Sequence, residues 1–248
     1  MGTPTFVGFS NYIRLAQDDL FRVGIWRVMA WAVLAIILKV GSALVLAAML
    51  RRRIAGSSFY SAAFFMPVVI SAAAISLMFM LLYDLDTGLV NAILRGVGLG
   101  RLARPWLGDE NTAFWAVVLV QIFHTIGYFF IILLAGLQDI SEEIYDAARI
   151  DGAGVWTTFR RISVPLLWPI LQICIVLAIT GSLRSFDYVF VMTQGGPGTS
   201  TQVPATYMYE QIFVSLKYGY GTAIAFTIFL FSVGVTLIFR RLTGVVKD

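Results

Sequence analysis

Charge is scarce in this chain. Only 13% of its 248 residues are Asp, Glu, Lys or Arg, against about 25% in an ordinary soluble domain. A water-soluble enzyme of this length needs far more charge to cover its surface, so that class is excluded first. The net charge of +4 is not gathered into one basic tract, which argues against nucleic acid as a partner. The single cysteine, Cys174, excludes an internal disulfide framework and a zinc site built on cysteine spacing. The single histidine, His124, excludes any site needing two imidazoles from this chain. No G-x-x-x-x-G-K-[ST] phosphate loop occurs, so ATP hydrolysis, if the function needs it, falls to another chain. One His, one Cys and no metal-spaced ligands also leave little material for an intramembrane enzyme.

What the chain has in abundance is apolar sequence, 59% of residues with a mean hydropathy of +0.84. Five runs are long enough to cross a bilayer as helices, at about 28–50, 59–83, 112–137, 164–192 and 218–239. Helices follow from run length, since each backbone N–H then finds its acceptor within its own segment. Alternating ten-residue β-barrel segments are absent. The fold class expected is therefore an all-α polytopic membrane protein with five visible transmembrane helices. It comprises an extracytoplasmic segment 1–27, a transmembrane region 28–239 and a tail 240–248. Basic residues set the orientation. Arg51, Arg52 and Arg53, then Arg149, Arg160 and Arg161, then Arg240, Arg241 and Lys247 cluster in the connections of one side. The other side carries the sparser Arg14, Arg22, Arg27, Arg95, Arg101, Arg104 and Lys217. The denser side is read as cytoplasmic, which puts the C-terminus inside and the N-terminus outside.

The connection 139–163 holds most of the local signal. Ser141 suits an N-cap, with Glu142 and Glu143 in the first turn where carboxylates complement the helix dipole. Ile140 and Tyr145 have hydrophobic-staple spacing, and Gly152 suits a left-handed stop. A second short helix is expected over about 155–163, before Pro165 opens the next span. Ala147, Ala148, Gly152, Ala153 and Gly154 offer a small-residue surface, and Ile144, Ile150, Val155, Trp156 and Phe159 make the segment too apolar for a free loop. Docking to a cytoplasmic partner is the expectation.

Several strings then carry a resemblance. Asp146-Ala147-Ala148, Gly152, Ile162 and Pro165 follow the spacing of the EAA signature of ABC importer permeases, with Asp in place of the first Glu and Val164 in place of the frequent Leu. YDAARIDGA (145–153) is similar to the form in sugar and glycerol-3-phosphate permeases. FVGFSNY (6–12), NAIL and PWLGD in the outer connection, LLAGLQDI (133–140) and FDYVFVMTQGGPG (186–198) fall where that family places them. The resemblance implies the inner-membrane subunit of a binding-protein-dependent importer, most simply for a sugar or oligosaccharide, with glycerol-3-phosphate or a phosphodiester as the alternative. It implies that the 139–163 segment is a coupling helix seated in a cytoplasmic ATPase, with Asp146, Ala147, Ala148, Gly152 and Ala153 at the contact and Ile162 and Pro165 fixing the return. It also implies a second permease chain and an extracytoplasmic solute-binding protein. ATP and Mg would be bound by the partner ATPase and no cofactor by this chain. The family core usually has six helices, so the first looks absent here. The location implied is a bacterial or archaeal cell membrane.

Polar residues inside spans are substrate-path candidates. Gln121, His124 and Tyr128 lie at i−3, i and i+4 on one helix face, suited to sugar hydroxyls or equally to holding helices together. Arg184 and Asp187, at i and i+3, can neutralise one another, and Asp187 with Tyr188 would suit a hydroxyl-rich ligand. Lys39 is read as pairing with an acid on a partner subunit, and either Lys39 or Arg184 could meet a phosphate. Gly195-Gly196-Pro197-Gly198 is a turn cluster with no following lysine, not a phosphate cradle. A secondary transporter working alone is the competing class, but no inverted repeat is visible and Asp187 is the only acid inside a span.

Overall fold

A computed structural model describes residues 6–51 and 57–243. Arg52, Arg53 and Lys247, used above for orientation, lie outside the described residues. All regular structure among the described residues is helical. Four helices are long and apolar enough to span a membrane: Asp19–Leu50 (α2), Ala113–Gln138 (α6), Trp168–Met192 and Tyr218–Phe239. A bent pair, Ser58–Val69 (α3) and Ala72–Leu82 (α4), makes a fifth candidate. Shorter helices include Ser10–Ala16 (α1), Leu89–Gly96 (α5), Glu142–Ile150 (α7) and Val155–Thr158 (α8).

The helices depart from the apolar runs in three instructive places. The first begins at Asp19, well before the expected Val28. Asp18 explains this: its Oδ1 accepts the backbone N–H groups of Leu20 at 3.0 Å and Phe21 at 3.1 Å, capping the helix. The Arg27 side chain within this polar start donates to the carbonyls of Thr199 at 2.5 Å and Gln202 at 3.1 Å. The second run, 59–83, is not one straight span. It bends by 96° where the two helices meet at residues 70–71. Pro67, near the end of α3, has no N–H to donate, and His124 Nε2 donates to the carbonyl of Ile70 at 2.9 Å. That bond satisfies a group the break would otherwise leave unpaired. The fourth run is helical from Val164, as expected, but the helix is interrupted at Leu167, so the long continuous span begins at Trp168.

Two compact units are distinguished, and the long helices contribute to both. Among the described residues the first gathers 6–31, 72–121 and 181–236. Its core includes Leu15, Phe21, Tyr207, Tyr220 and Ile224. Asp18 Oδ2 accepts the hydroxyls of Tyr207 at 2.7 Å and Tyr220 at 2.5 Å, so one carboxylate both caps a helix and joins two distant tyrosines to it. Burial pushes that carboxyl up. The two tyrosine hydroxyls and the two backbone N–H groups outweigh it and hold Asp18 below its ordinary value.

Among the described residues the second unit gathers 32–51, 57–71, 122–180 and 237–243. At Gly127 of α6 the backbone of Phe64 comes so close that a Cβ would meet its carbonyl, which lets α3 pack directly on α6. Lys39 is 1% exposed, with its ammonium 4.8 Å from the centre of the Phe129 ring. The burial answers one sequence expectation: Lys39 is enclosed by its own chain rather than offered to a partner.

Candidate functional site

The segment 139–165 lies wholly within the second unit. It starts with the expected cap: Ser141 Oγ accepts the N–H of Glu143 at 3.3 Å, and α7 follows from Glu142. At the other end the N–H of Ala153 bonds to the carbonyl of Ala148 at 2.9 Å, and that of Gly152 to Arg149 at 3.1 Å. This pair of bonds is a Schellman stop, and it holds Gly152 at φ +74°. A Cβ built on Gly152 would meet nothing within 4 Å. Glycine is needed there for the backbone angle, and the space beyond it is open.

The second short helix spans the expected 155–163 but changes character part-way. It is α-helical over Val155–Thr158 and then widens into a π-helical turn, Phe159–Ser163, just ahead of Pro165. A proline cannot donate to the preceding turn, so the ladder must change register there. Ile162 is half-buried on this turn and Pro165 is exposed.

Tyr145 fixes the segment to the rest of the unit. It is 4% exposed, and its hydroxyl lies 3.1 Å from Ser163 Oγ, joining the two arms of the turn. The guanidinium of Arg51, at the end of α2, stacks 3.4 Å from the centre of the Tyr145 ring. Arg51 also bonds Glu142 at 3.2 Å, Glu142 bonds Arg149 at 2.7 Å, and Arg149 pairs with Asp146 at 2.9 Å. Desolvation works against the Glu142 charge, but Arg51 and Arg149 prevail and hold its carboxyl below the usual range. Glu142, Arg149 and Asp146 are about half exposed, so the worth of their pairs lies in geometry more than in stability, while Arg51 is largely enclosed.

Together these contacts make a rigid turn with an apolar outer face. Ile150 is 86% exposed, Val155 91% and Trp156 71%, with the Trp156 ring stacked on Phe159 at 5.6 Å. A groove of about 720 Å³ runs beside it, lined by Val45, Met49, Arg51, Leu137, Tyr145, Trp156 and Phe159 among others. Asp146, Ala147 and Gly152 are exposed and Ala153 is half-buried. Ala148 is not part of the small-residue surface: it is 6% exposed, because the helix carries it inward one step round from Ala147. Sequence reasoning misses the anchoring roles of Arg51, Tyr145 and Ser163. The available signal is an arginine directly after a span, which the orientation argument counts only as charge.

The substrate-path candidates are dispersed. Gln121 is 3% exposed and its Oε1 accepts from Trp31 Nε1 at 3.2 Å. His124 is buried on the Ile70 carbonyl as described, while Tyr128 is 43% exposed, with its ring against Phe129. Arg184 and Asp187 are both exposed and do not form the expected ion pair, and Tyr188 is buried. Among the described residues no three His, Cys, Asp or Glu side chains stand together as a metal site requires.

Comparisons with known proteins place the chain. The family described as "Binding-protein-dependent transport system inner membrane component" matches residues 40–246. The chain is 35% identical to the probable ABC transporter permease protein YurN of Bacillus subtilis (strain 168), over 94% of this chain and 80% of the relative. It is 30% identical to the trehalose/maltose transport system permease protein MalF of Thermococcus litoralis, over 98% of this chain and 81% of that one. It is also 30% identical to the sulfoquinovosyl glycerol transport system permease protein SmoG of Agrobacterium fabrum, over 97% and 78%. In structure it superposes on a chain of a bacterial ABC transporter involved in alginate import, with a TM-score of 0.87 at 20% identity, covering 99% of this chain and 86% of that one. That likeness is one of fold. The chain therefore belongs to the inner-membrane permease components of binding-protein-dependent ABC transport systems.

Proposed function

We propose that this chain is one of two permease subunits of an ATP-driven importer for a sugar or oligosaccharide, and that its 141–163 turn docks on a separate cytoplasmic ATPase. The observation that carries the docking is the turn itself. It is capped at both ends, braced by Arg51, Tyr145 and Ser163, and yet turns Ile150, Val155 and Trp156 outward. An apolar face held this firmly serves a partner rather than water. The partner ATPase binds ATP and Mg, because the sequence has no phosphate loop of its own. Its closure then moves the turn as a lever and shifts the spans between inward- and outward-facing states.

The sugar reading draws on relatives named for trehalose/maltose and sulfoquinovosyl glycerol transport. The enclosure of Lys39 removes one of the two cations that the phosphate alternative could use, leaving the exposed Arg184. A bacterial alginate ABC transporter of similar fold has been solved in complex with an alginate pentasaccharide-bound periplasmic protein. By analogy, a solute-binding protein meets the present chain on the side of the membrane opposite the ATPase. The turn and the C-terminal tail are cytoplasmic in this reading, and the segment before Asp19 is outside.

Purification of the tagged chain from native membranes in mild detergent, with co-purifying chains identified by mass, tests the proposal. An ATPase and a second permease are expected. A chain that purifies folded and alone overturns it.

A further inference from the structure

The connection between Leu82 and Ala113 carries a helix that is inside-out for a water-exposed one. In α5 the polar Asn91 points inward and is 0% exposed, with Val90 and Leu94 half-buried beside it. Leu89 and Ile93, and Val97 directly after the helix, form a stripe spaced four apart that is 56%, 54% and 65% exposed. Leu99 and Leu102 in the turn that follows extend the apolar surface at 50% and 46%. In water this arrangement loses the free energy that normally sends the apolar stripe inward.

Asn91 is fully used. Its Nδ2 donates to the carbonyls of Asp84 at 3.2 Å, Leu85 at 3.3 Å and Arg104 at 3.1 Å. Its Oδ1 accepts from Arg104 N at 3.3 Å and Trp106 Nε1 at 2.9 Å. These bonds tie α5 to the level where the spans end. The Trp106 ring lies 6.2 Å from that of Tyr83, directly after α4, and the Tyr83 hydroxyl reaches the carbonyl of Ala116 in the first turn of α6. A Trp–Tyr pair at the ends of two spans marks the membrane–water interface. Gly88 keeps the link short, because a Cβ there would strike the carbonyls of Leu82 and Asp84. Charge completes the pattern. Between Leu89 and Trp106 the sequence has Arg95, Arg101 and Arg104 and no acid.

We propose that α5 and the turn through Leu102 form an in-plane interfacial anchor, with the Leu89–Ile93–Val97 stripe in the acyl–headgroup boundary and the arginines among anionic headgroups. The occupant of the exposed face is lipid. Depth set by the Tyr83–Trp106 pair and the acid-free, arginine-bearing stretch 89–106, flanked by Asp84, Asp86, Asp109 and Glu110, both favour a lipid surface over a folded protein partner.

The test places a nitroxide spin label at Ile93→Cys and, separately, at Val97→Cys, with Asp86→Cys as the water-facing reference. Both stripe positions are more than half exposed, so either label is accommodated, and Cys174 is fully enclosed and stays unlabelled. The full transporter complex is reconstituted in nanodiscs of phosphatidylglycerol and phosphatidylethanolamine. Collision with oxygen, which enriches in lipid, is compared with collision with a water-soluble nickel chelate. The ratio of oxygen to nickel access is expected to be several-fold higher at positions 93 and 97 than at 86. It should fall towards the reference in nanodiscs of phosphatidylcholine alone. Labels that favour nickel, or that are shielded from both reagents by a covering protein, overturn the anchor. A ratio unchanged without anionic lipid overturns the role of the arginines.

Discussion

Substitution at Gly152 separates backbone strain from contact with a partner. The residue sits at φ +74°, where an ordinary L-residue costs about 1–2 kcal/mol, roughly a 5- to 30-fold shift in a local equilibrium. Asn and Asp tolerate this region better than Ala. Nothing in the chain lies within 4 Å of a Cβ at this position, so no internal clash adds to these costs. Strain alone therefore ranks Gly152→Ala as the worst variant, with Gly152→Asn and Gly152→Asp milder. Docking ranks them the other way, because a larger or charged group fills the open space the ATPase must enter. Uptake of radiolabelled sugar into proteoliposomes containing the whole transporter reads the order, and thermal melting of each variant in detergent reads the strain. Docking predicts that uptake falls from wild type through Ala and Asn to Asp, with Asp near background and all three present in the membrane. Uptake that instead tracks strain, with Asp near wild type and Ala lowest, refutes it.

Other expectations follow from named contacts. Tyr145→Phe leaves the Ser163 hydroxyl buried without this partner and should cost about 1–2 kcal/mol; a double-mutant cycle with Ser163→Ala, read by thermal unfolding, should show the two losses to be coupled. Gly127→Ala forces a methyl against the Phe64 backbone, which cannot move aside as a side chain can, and should cost about 1–3 kcal/mol, seen as a lower melting temperature. Asp18 has a lowered folded-state pKa, so its contribution is present above its unfolded value near 3.9 and is lost as the pH falls through the lower folded value. Melting curves should therefore show a loss of stability on acidification below about pH 4 that is smaller in Tyr207→Phe, where one of the hydrogen bonds lowering that pKa is gone. Arg51→Ala removes the stack on Tyr145 and the bond to Glu142 together, and should raise proteolysis of the 141–163 turn more than Arg149→Ala does.

The turn is the most legible part of the sequence because its rules are local. A serine followed by two glutamates, with a glycine further on, announces a cap and a stop, and both are present at Ser141 and Gly152. The breaks are less legible. Hydropathy reports contact with lipid and not helical continuity, so it misses the polar first turns after Asp18, although the Asx cap is there to be read. It also joins α3 and α4 across residues 70–71, where the break depends on His124, far along the chain, to satisfy the Ile70 carbonyl. The direction of Ala148 turns on a helical phase that residue size alone does not reveal. For Gln121, His124 and Tyr128 a shared face does not mean a shared environment: the first two are buried on separate partners and the third is exposed. The inverted polarity of α5 becomes legible only once Asn91 is seen to point inward.

That the 141–163 turn meets an ATPase is the central claim. A photo-activated cross-linking amino acid at Val155, 91% exposed, with a second variant at Ile150, reports on it in native membranes. Illumination should join this chain to a nucleotide-binding subunit identified by mass, and the yield should change when ATP is trapped. Cross-links to lipid alone, or none at either position in a chain that is folded and in the membrane, would contradict it.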